Sequence, residues 1–175
     1  MTNHYISPNP LTAAPGFTFS ADGDSLVILP GVTFASTSAF GSLINFGSFV
    51  YNTVTILGTV IDSGSIVNNV NPFDLTIGAA GSYYSALASS SSGAIFTIIA
   101  GCQWTNAGQI RAPNCIAMVA ADTAIANSGT ISGDTGIFAW QFDGTQVVNS
   151  GLIEGLGSSV SLNYGAAVIF TGTTL

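Results

Sequence analysis

The groups in this sequence that could build a polysaccharide-cleaving site are one arginine and eight carboxylates. They are Arg111, Asp22, Asp24, Asp62, Asp74, Asp122, Asp134, Asp143 and Glu154. A polysaccharide hydrolase or lyase needs two or three carboxylates close together, or a basic group beside a bound cation. The carboxylates are instead scattered, and only Asp122 and Asp143 precede a repeated asparagine at nearly the same distance. We therefore predict no catalytic residue, and a pectin lyase-like enzyme remains the alternative function.

Metal ligands are also scarce. His4 is the single histidine, and Cys102 and Cys115 are the two cysteines, whereas a structural zinc site takes four nitrogen or sulfur ligands. Asp22 and Asp24 have the oxygen ligands that calcium prefers, but two carboxylates around a glycine are typical of a solvated turn. We predict no metal site and no cofactor. The two cysteines either form a disulfide in an oxidising compartment or remain buried thiols.

A tyrosine pair is the one candidate ligand patch. Tyr83 and Tyr84 lie within residues 68–92, a polar stretch that includes a run of four serines. Loops that interrupt a rigid scaffold often carry function, and paired tyrosines there would suit a cell-surface or matrix polysaccharide. The alternative is a loop held in place by its own aromatic side chains.

The element that must position these groups is a repeated phrase. Residues 125–131, IANSGTI, return as residues 147–153, VVNSGLI, with 22 residues between the two asparagines. Looser copies occur upstream. The five copies give the pairs Asn45 and Gly47, Asp62 and Gly64, Asn106 and Gly108, Asn127 and Gly129, and Asn149 and Gly151. A period of this size indicates a solenoid.

Within each copy, apolar residues alternate with polar ones and are mostly β-branched, which favours strands over helices. The sequence therefore predicts an all-β, single-stranded parallel β-helix (β-solenoid) of about seven coils, each of about 21–22 residues. The glycines are expected at corners, where glycine tolerates positive φ. The Asn/Asp residues are expected to stack as a ladder between coils, or to form local turns.

The two ends of the chain suggest self-assembly. Residues 1–17 hold three of the six prolines and no repeat, which predicts an extended N-terminal arm before a solenoid domain at 18–175. An uncapped solenoid end exposes unpaired strand edges. We expect homopolymerisation through apolar residues at both ends, namely Tyr5, Ile6, Leu11, Phe17, Val168 and Phe170.

Composition narrows the classes of partner. The net charge is −7 with a single basic residue, and binding to nucleic acid or to an anionic membrane surface requires Lys and Arg. No stretch approaches the 18 consecutive apolar residues of a spanning helix. The first residues show neither a basic nor an apolar leader segment. We expect an extracellular or cell-surface protein whose export route is not visible in the sequence.

The phrases NSGTISGDTGIF and VVNSGLIEG, with the opening GDSLVILPGVTF, resemble the coil repeats of autotransporter passenger domains and related secreted adhesins. The resemblance spans about residues 22–170 and implies a right-handed parallel β-helix. It also implies a structural or adhesive role at the cell surface, with filaments or a biofilm matrix as the setting.

Ice binding is a third function open to such a scaffold, because low charge and regular coils are shared with ice-binding solenoids. It requires flat ladders of threonine on one face. Thr53, Thr55, Thr97, Thr123, Thr130, Thr135 and Thr145 do not hold one phase of the repeat. The sequence therefore favours this function least.

Overall fold

The computed structural model describes residues 1–6, 11–12, 16–36, 43–64, 66–68, 71–86, 93–97, 100–140, 144–157 and 167–171. These residues form nineteen strands and no helix. In chain order the strands are β1 (Asn3–Ile6), β2 (Leu11–Thr12), β3 (Phe17–Thr18), β4 (Ser25–Ile28), β5 (Thr33–Ser36), β6 (Ile44–Asn45), β7 (Asn52–Ile56), β8 (Thr59–Asp62), β9 (Ile66–Asn68), β10 (Phe73–Ile77), β11 (Ser82–Ser85), β12 (Gly93–Thr97), β13 (Gln103–Asn106), β14 (Gln109–Ala120), β15 (Ala124–Asn127), β16 (Thr130–Trp140), β17 (Gln146–Asn149), β18 (Leu152–Gly155) and β19 (Val168–Thr171). The predicted all-β fold is confirmed.

Each turn of the chain adds one strand to each of two large parallel sheets. Sheet A has the order β1-β4-β7-β10-β13-β15-β17, and sheet B has the order β18-β16-β14-β11-β8-β5-β2. Strands β9, β12 and β19 extend sheet B alongside this path, and β3 pairs with β6. All pairs are parallel and join strands about one turn apart in the chain, which is the arrangement of a β-solenoid. The number of strands in sheet A is close to the predicted number of coils.

The layers, each one turn of the chain, are not equally long. The paired residues Asn106 and Asn127 are 21 apart, and Asn127 and Asn149 are 22 apart. The step between Ser25 and Thr53 is 28 residues, although these residues are also register partners. In this layer the additional residues lie between strands, because β4 and β7 pair without a register shift, whereas β14 and β16 pair with a register shift between Ala112 and Ile116. A search at a fixed period therefore misaligns the earlier layers.

Alternation along each strand builds the core. Leu26, Val54, Leu75, Trp104 and Ile125 are register partners in successive strands of sheet A, and all are buried. Burying such a side chain contributes about 1.5–3 kcal/mol. A second interior stack consists of aromatic rings with centroids 4.6–5.5 Å apart, in the order His4, Phe17, Phe19, Phe46, Phe73 and Trp104.

The first 17 residues are not a free arm. Their described parts form β1, β2 and β3, which pair in parallel with β4, β5 and β6. Ile6 and Phe17 pack against the core. The prediction of an arm at 1–17 followed by a solenoid at 18–175 is therefore wrong for these residues. The three prolines fall outside the three strands in the sequence, so they do not remove the N–H groups that the ladder uses.

The predicted repeat register is correct for the last three copies only. The column that contains Asn106, Asn127 and Asn149 continues backwards as Ile77, Ile56 and Ile28.

Asp62 instead pairs with Ser85 in sheet B, and Asn45 pairs with Thr18. Both form local turns, because Asn45 Oδ1 accepts the Gly47 N–H at 2.9 Å and Asp62 Oδ1 accepts the Gly64 N–H at 2.8 Å. A turn of the type Asx-x-Gly produces the same sequence phrase as a layer of the ladder.

The glycine column is Gly58, Gly81, Gly108, Gly129 and Gly151, so Gly47 and Gly64 do not belong to it. Within the column, the reason for glycine is close packing and not positive φ. A Cβ atom on Gly129 would lie under 3.0 Å from the Gly108 carbonyl oxygen, and one on Gly151 would meet the Gly129 carbonyl in the same way. The corner of each layer thus packs directly on the backbone of the layer before it.

Candidate functional site

The asparagine ladder is the most regular polar feature of the molecule. Asn106 Nδ2 donates to Asn127 Oδ1 at 2.7 Å, and Asn127 Nδ2 donates to Asn149 Oδ1 at 2.7 Å. The same amides donate to the carbonyls of Thr130 and Leu152, at 3.1 and 3.2 Å. Asn106 and Asn127 are buried, whereas Asn149 is exposed. The ladder confirms the predicted stacking for these three residues and ends at the outermost layer.

Five aspartates accept hydrogen bonds from backbone N–H groups. Asp22 accepts the N–H of Val50, Asp24 that of Thr2, Asp62 those of Leu43 and Gly64, Asp74 that of Gln103, and Asp122 that of Gly144. In most of these bonds the donor belongs to a neighbouring layer. Asp143 lies outside the described residues. The arrangement ties layers together and offers no pair of free carboxylates among these five.

The pKa values of two buried carboxylates are shifted in opposite directions. Burial raises the pKa of Asp24, but the Thr2 N–H at 2.8 Å and His4 at 3.4 Å outweigh burial, so the pKa lies below its ordinary value. Burial raises the pKa of Asp62 above its ordinary value, although Leu43, Gly64 and Tyr83 donate to it. Asp24 therefore fastens the first layer to the second as a carboxylate.

The tyrosine pair is divided by the alternation of β11. Tyr83 points inward, is fully buried and donates its hydroxyl to the Ala94 carbonyl at 3.2 Å, so it is not part of a ligand patch. Tyr84 is exposed and lies in register beside Arg111 on sheet B. Ser132 and Glu154 follow Arg111 in the same column. The predicted patch therefore reduces to Tyr84.

Sheet A has a shallow cavity of about 150 Å³ on its outward face. Its floor is Ala124 and Ala126 on β15, where neighbouring strands carry larger side chains. The sides consist of Gln103, Thr105, Gln146 and Val148. None of these side chains is charged, so the cavity suits a neutral ligand.

Within the part of the chain that the structure describes, no group of three or more His, Cys, Asp and Glu side chains is placed to hold a metal ion. The same residues include no helix that is long and apolar enough to cross a membrane. The Cys102 thiol is buried, and its sulfur accepts the Phe73 N–H at 3.5 Å. The Cys115 side chain lies outside the described set.

Within the part of the chain that the structure describes, the two end strands of sheet A have a neighbouring strand on one side only. Among the described strands, β1 pairs only with β4, and β17 pairs only with β15. Large apolar side chains are exposed on both end layers: Tyr5 is 60% exposed and Val148 is 70% exposed, and Leu152 is also exposed. Unpaired edges with apolar side chains are templates for strand addition. The end layers are therefore the candidate interaction site.

The structure separates the residues predicted for self-assembly. Ile6, Phe17 and Val168 are partly buried against the core of their own chain. The backbones of Leu11 and Phe170 pair with Ala35 and Ala139, and their side chains lie outside the described set. Only Tyr5 is both described and exposed. Sequence reasoning missed Val148, although the alternation of residues 146–149 was sufficient to place it outward.

Comparison with protein-family models, with curated proteins and with solved structures gave no match to this chain.

Proposed function

We propose that this chain is an extracellular or cell-surface β-solenoid subunit with a structural or adhesive role, which associates head to tail with copies of itself into filaments. The observation that carries the proposal is the pair of free parallel edges at β1 and β17, each bordered by an exposed apolar side chain. The predicted N-terminal arm contributes to this contact as the first layer of the solenoid, because β1 pairs in parallel with β4 of its own chain.

A free edge of this kind favours association for a simple reason. Its N–H and C=O groups exchange hydrogen bonds with water for hydrogen bonds to the added strand. The apolar side chains beside the edge become buried in the contact, which is favourable. The contact joins different surfaces of two identical subunits, so it repeats indefinitely unless its rotation closes a ring. Strands β1 and β17 contain no Asp, Glu, Lys or Arg, so no ionised carboxylate or basic side chain of these strands opposes their pairing.

The cell-surface part of the proposal rests on the resemblance of residues 22–170 to secreted adhesins. The acidic composition, net charge −7, is consistent with a partner other than nucleic acid. A β-solenoid scaffold by itself carries many functions, so assembly and location need separate tests.

Binding of a neutral polysaccharide is the second candidate. The uncharged cavity over Ala124 and Ala126 favours it, with glutamine amides on both sides as hydrogen-bond partners for hydroxyl groups. A carbohydrate-cleaving activity is less favoured, because the five carboxylates named above accept backbone hydrogen bonds.

The test of assembly is negative-stain microscopy and sedimentation velocity of the purified chain over a hundredfold range of concentration. We expect thin uniform fibres with an axial diffraction spacing of about 4.8 Å. Because the contact is largely uncharged, raising the salt concentration should not dissolve them. A monodisperse monomer at the highest concentration would overturn the proposal.

A further inference from the structure

We propose a specific junction between copies: β1 of one copy pairs in parallel with β17 of the next, with Tyr5 in register beside Val148. The inference rests on the head-to-tail association proposed above and defines its register. It follows from the columns of sheet A, from the direction of the free backbone groups, and from the length of the corners.

The column argument concerns the outward face of sheet A. Register pairs connect Tyr5 through Val27, Thr55, Thr76, Thr105 and Ala126 to Val148. The two large exposed apolar side chains of sheet A thus stand at opposite ends of one column, with small or hydroxyl-bearing residues at most positions between them. Continuing the register into a second copy makes Tyr5 and Val148 neighbours about 4.8 Å apart. An aromatic beside a β-branched residue is a favourable cross-strand pair.

The backbone argument concerns hydrogen bonds. The N–H groups of Gln146 and Ser150 donate to the carbonyls of Thr123 and Asn127 in the preceding layer. By alternation the peptide groups of Val147 and Asn149 therefore face the free edge.

Just before β1, the carbonyl of Thr2 accepts the Ser25 N–H. By alternation the peptide groups of Asn3 and Tyr5 therefore point away from β4, toward the free edge. In the proposed register Tyr5 N–H meets Val147 C=O, and Asn149 N–H meets Tyr5 C=O. A shift of one residue would bring inward-facing groups to the junction instead.

The corner argument concerns sheet B. Register pairs place Leu11 in the column that ends at Glu154. From Ile6 to Leu11 the chain advances five residues, and from Asn149 to Glu154 it also advances five residues. The first and last layers therefore have corners of equal length, as the layers of Asn106 and Asn127 do. Strands β2 and β18 align when β1 and β17 align.

The junction differs from an internal layer at one position. Asn149 stands opposite Ile6 in this register, whereas Asn127 stands opposite another asparagine. The ladder therefore stops at each junction, and the layer boundary between copies is expected to separate before the internal boundaries do.

The test is site-specific disulfide formation. A chain carrying both Tyr5→Cys and Val148→Cys is oxidised mildly at a concentration that gives fibres. A directly opposed pair with Cα atoms about 4.8 Å apart lies within disulfide geometry. We expect a ladder of covalent dimers, trimers and longer species on non-reducing gels, at least tenfold above the control. The matched control pairs Tyr5→Cys with Tyr51→Cys, because Tyr51 is 72% exposed but lies outside the end layers.

A second measurement does not depend on cysteine. Val148→Lys and Tyr5→Glu are each expected to weaken assembly at least tenfold. A chain that carries both changes should recover assembly, because the two opposite charges then lie side by side at every junction. Circular dichroism of each variant verifies the β fold.

The outcomes separate the two proposals. Fibres whose oxidised double-cysteine chain gives no more ladder than the Tyr51 control would overturn this register and leave the head-to-tail association standing. Absence of fibres from the unmodified chain would overturn both.

Discussion

The early and late layers of the solenoid fill the same interior column in two different ways. Ile28, Ile56 and Ile77 occupy it in the early layers, and asparagines occupy it from Asn106 onward. Backbone hydrogen bonds join the layers in both parts. The isoleucine side chains add packing only, whereas the asparagine side chains add amide hydrogen bonds along the axis. At the boundary Asn106 is the register partner of Ile77, and its buried Oδ1 atom has no hydrogen-bond partner. An isoleucine layer is stable beside another isoleucine layer, and an asparagine layer beside another asparagine layer. The free-energy cost of an unsatisfied amide oxygen arises where the two kinds of layer adjoin.

The comparison predicts that an asparagine is costly in the apolar part and less costly at the boundary. Ile56→Asn buries an amide between Ile28 and Ile77, and we expect it to lower the free energy of unfolding by about 4 kcal/mol or more. Ile77→Asn supplies a donor to Asn106 Oδ1, so its cost should be about 1–2 kcal/mol smaller. Urea unfolding of both variants measures the difference. Equal costs would contradict the account of the boundary.

The next prediction compares a glycine in the column with one that the sequence wrongly placed there. Gly129→Ala drives a Cβ into the Gly108 carbonyl, and we expect a loss of about 3 kcal/mol, the upper end of the usual cost of overpacking. Gly47 has φ of 61° but no atom closer than 3.5 Å to the added Cβ, so Gly47→Ala should cost about 1–2 kcal/mol. The exposed substitution Ser128→Ala serves as a control in thermal unfolding. A larger effect at Gly47 than at Gly129 would mean that the column is misassigned.

The accuracy with which the sequence predicts the residues of the interior column differs between the early and the late layers. Late layers were predicted correctly, because Asn106, Asn127 and Asn149 recur at nearly constant spacing and each precedes a glycine by two residues. Earlier layers were misread for two physical reasons: isoleucine replaces asparagine in the column, and the Asx turns at Asn45 and Asp62 imitate its phrase. Periodicity identifies a coil, but only the paired register shows which residues share a column.

The same limits apply to the candidate site. Exposed apolar residues at the ends were predicted as a class, and Tyr5 was among them. Val148 and the shared column of Tyr5 and Val148 were missed, because they depend on six consecutive strand registers with insertions between them. The inward turn of Tyr83 follows from strand alternation, which could not be applied while residues 68–92 were interpreted as a loop.

The pH dependence of stability should differ between Asp24, which holds the first layer, and Asp62, which lies in the interior. The pKa of Asp24 is lowered in the folded protein, so its contribution to stability is present above the unfolded pKa of about 3.9 and is lost as the pH falls through the folded value. The pKa of Asp62 is raised, so its contribution is fully present below about pH 3.9 and is lost as the pH rises through the folded value. Asp24→Asn should flatten the acid loss of stability, and Asp62→Asn should flatten the loss on raising the pH. Melting temperatures between pH 2 and 7 measure both slopes, and unchanged slopes in both variants would contradict these roles.

The smallest expected effect comes from the last rung of the ladder. Asn127→Ala removes an acceptor from Asn106 and a donor to Asn149 inside the core, so we expect a loss of about 2–3 kcal/mol. Asn149→Ala removes the acceptor of Asn127, but Asn149 is exposed and Asn127 Nδ2 still reaches the Leu152 carbonyl at 3.2 Å. Water can also replace the lost partner, so the loss should be about 0.5–1 kcal/mol for the dispersed monomer. Urea unfolding at low concentration measures both variants. In the proposed fibres the next copy would cover Asn149, and there the difference in free energy of unfolding between the two variants should narrow. A gap that stays the same in monomer and fibre would show that Asn149 remains in water at the junction.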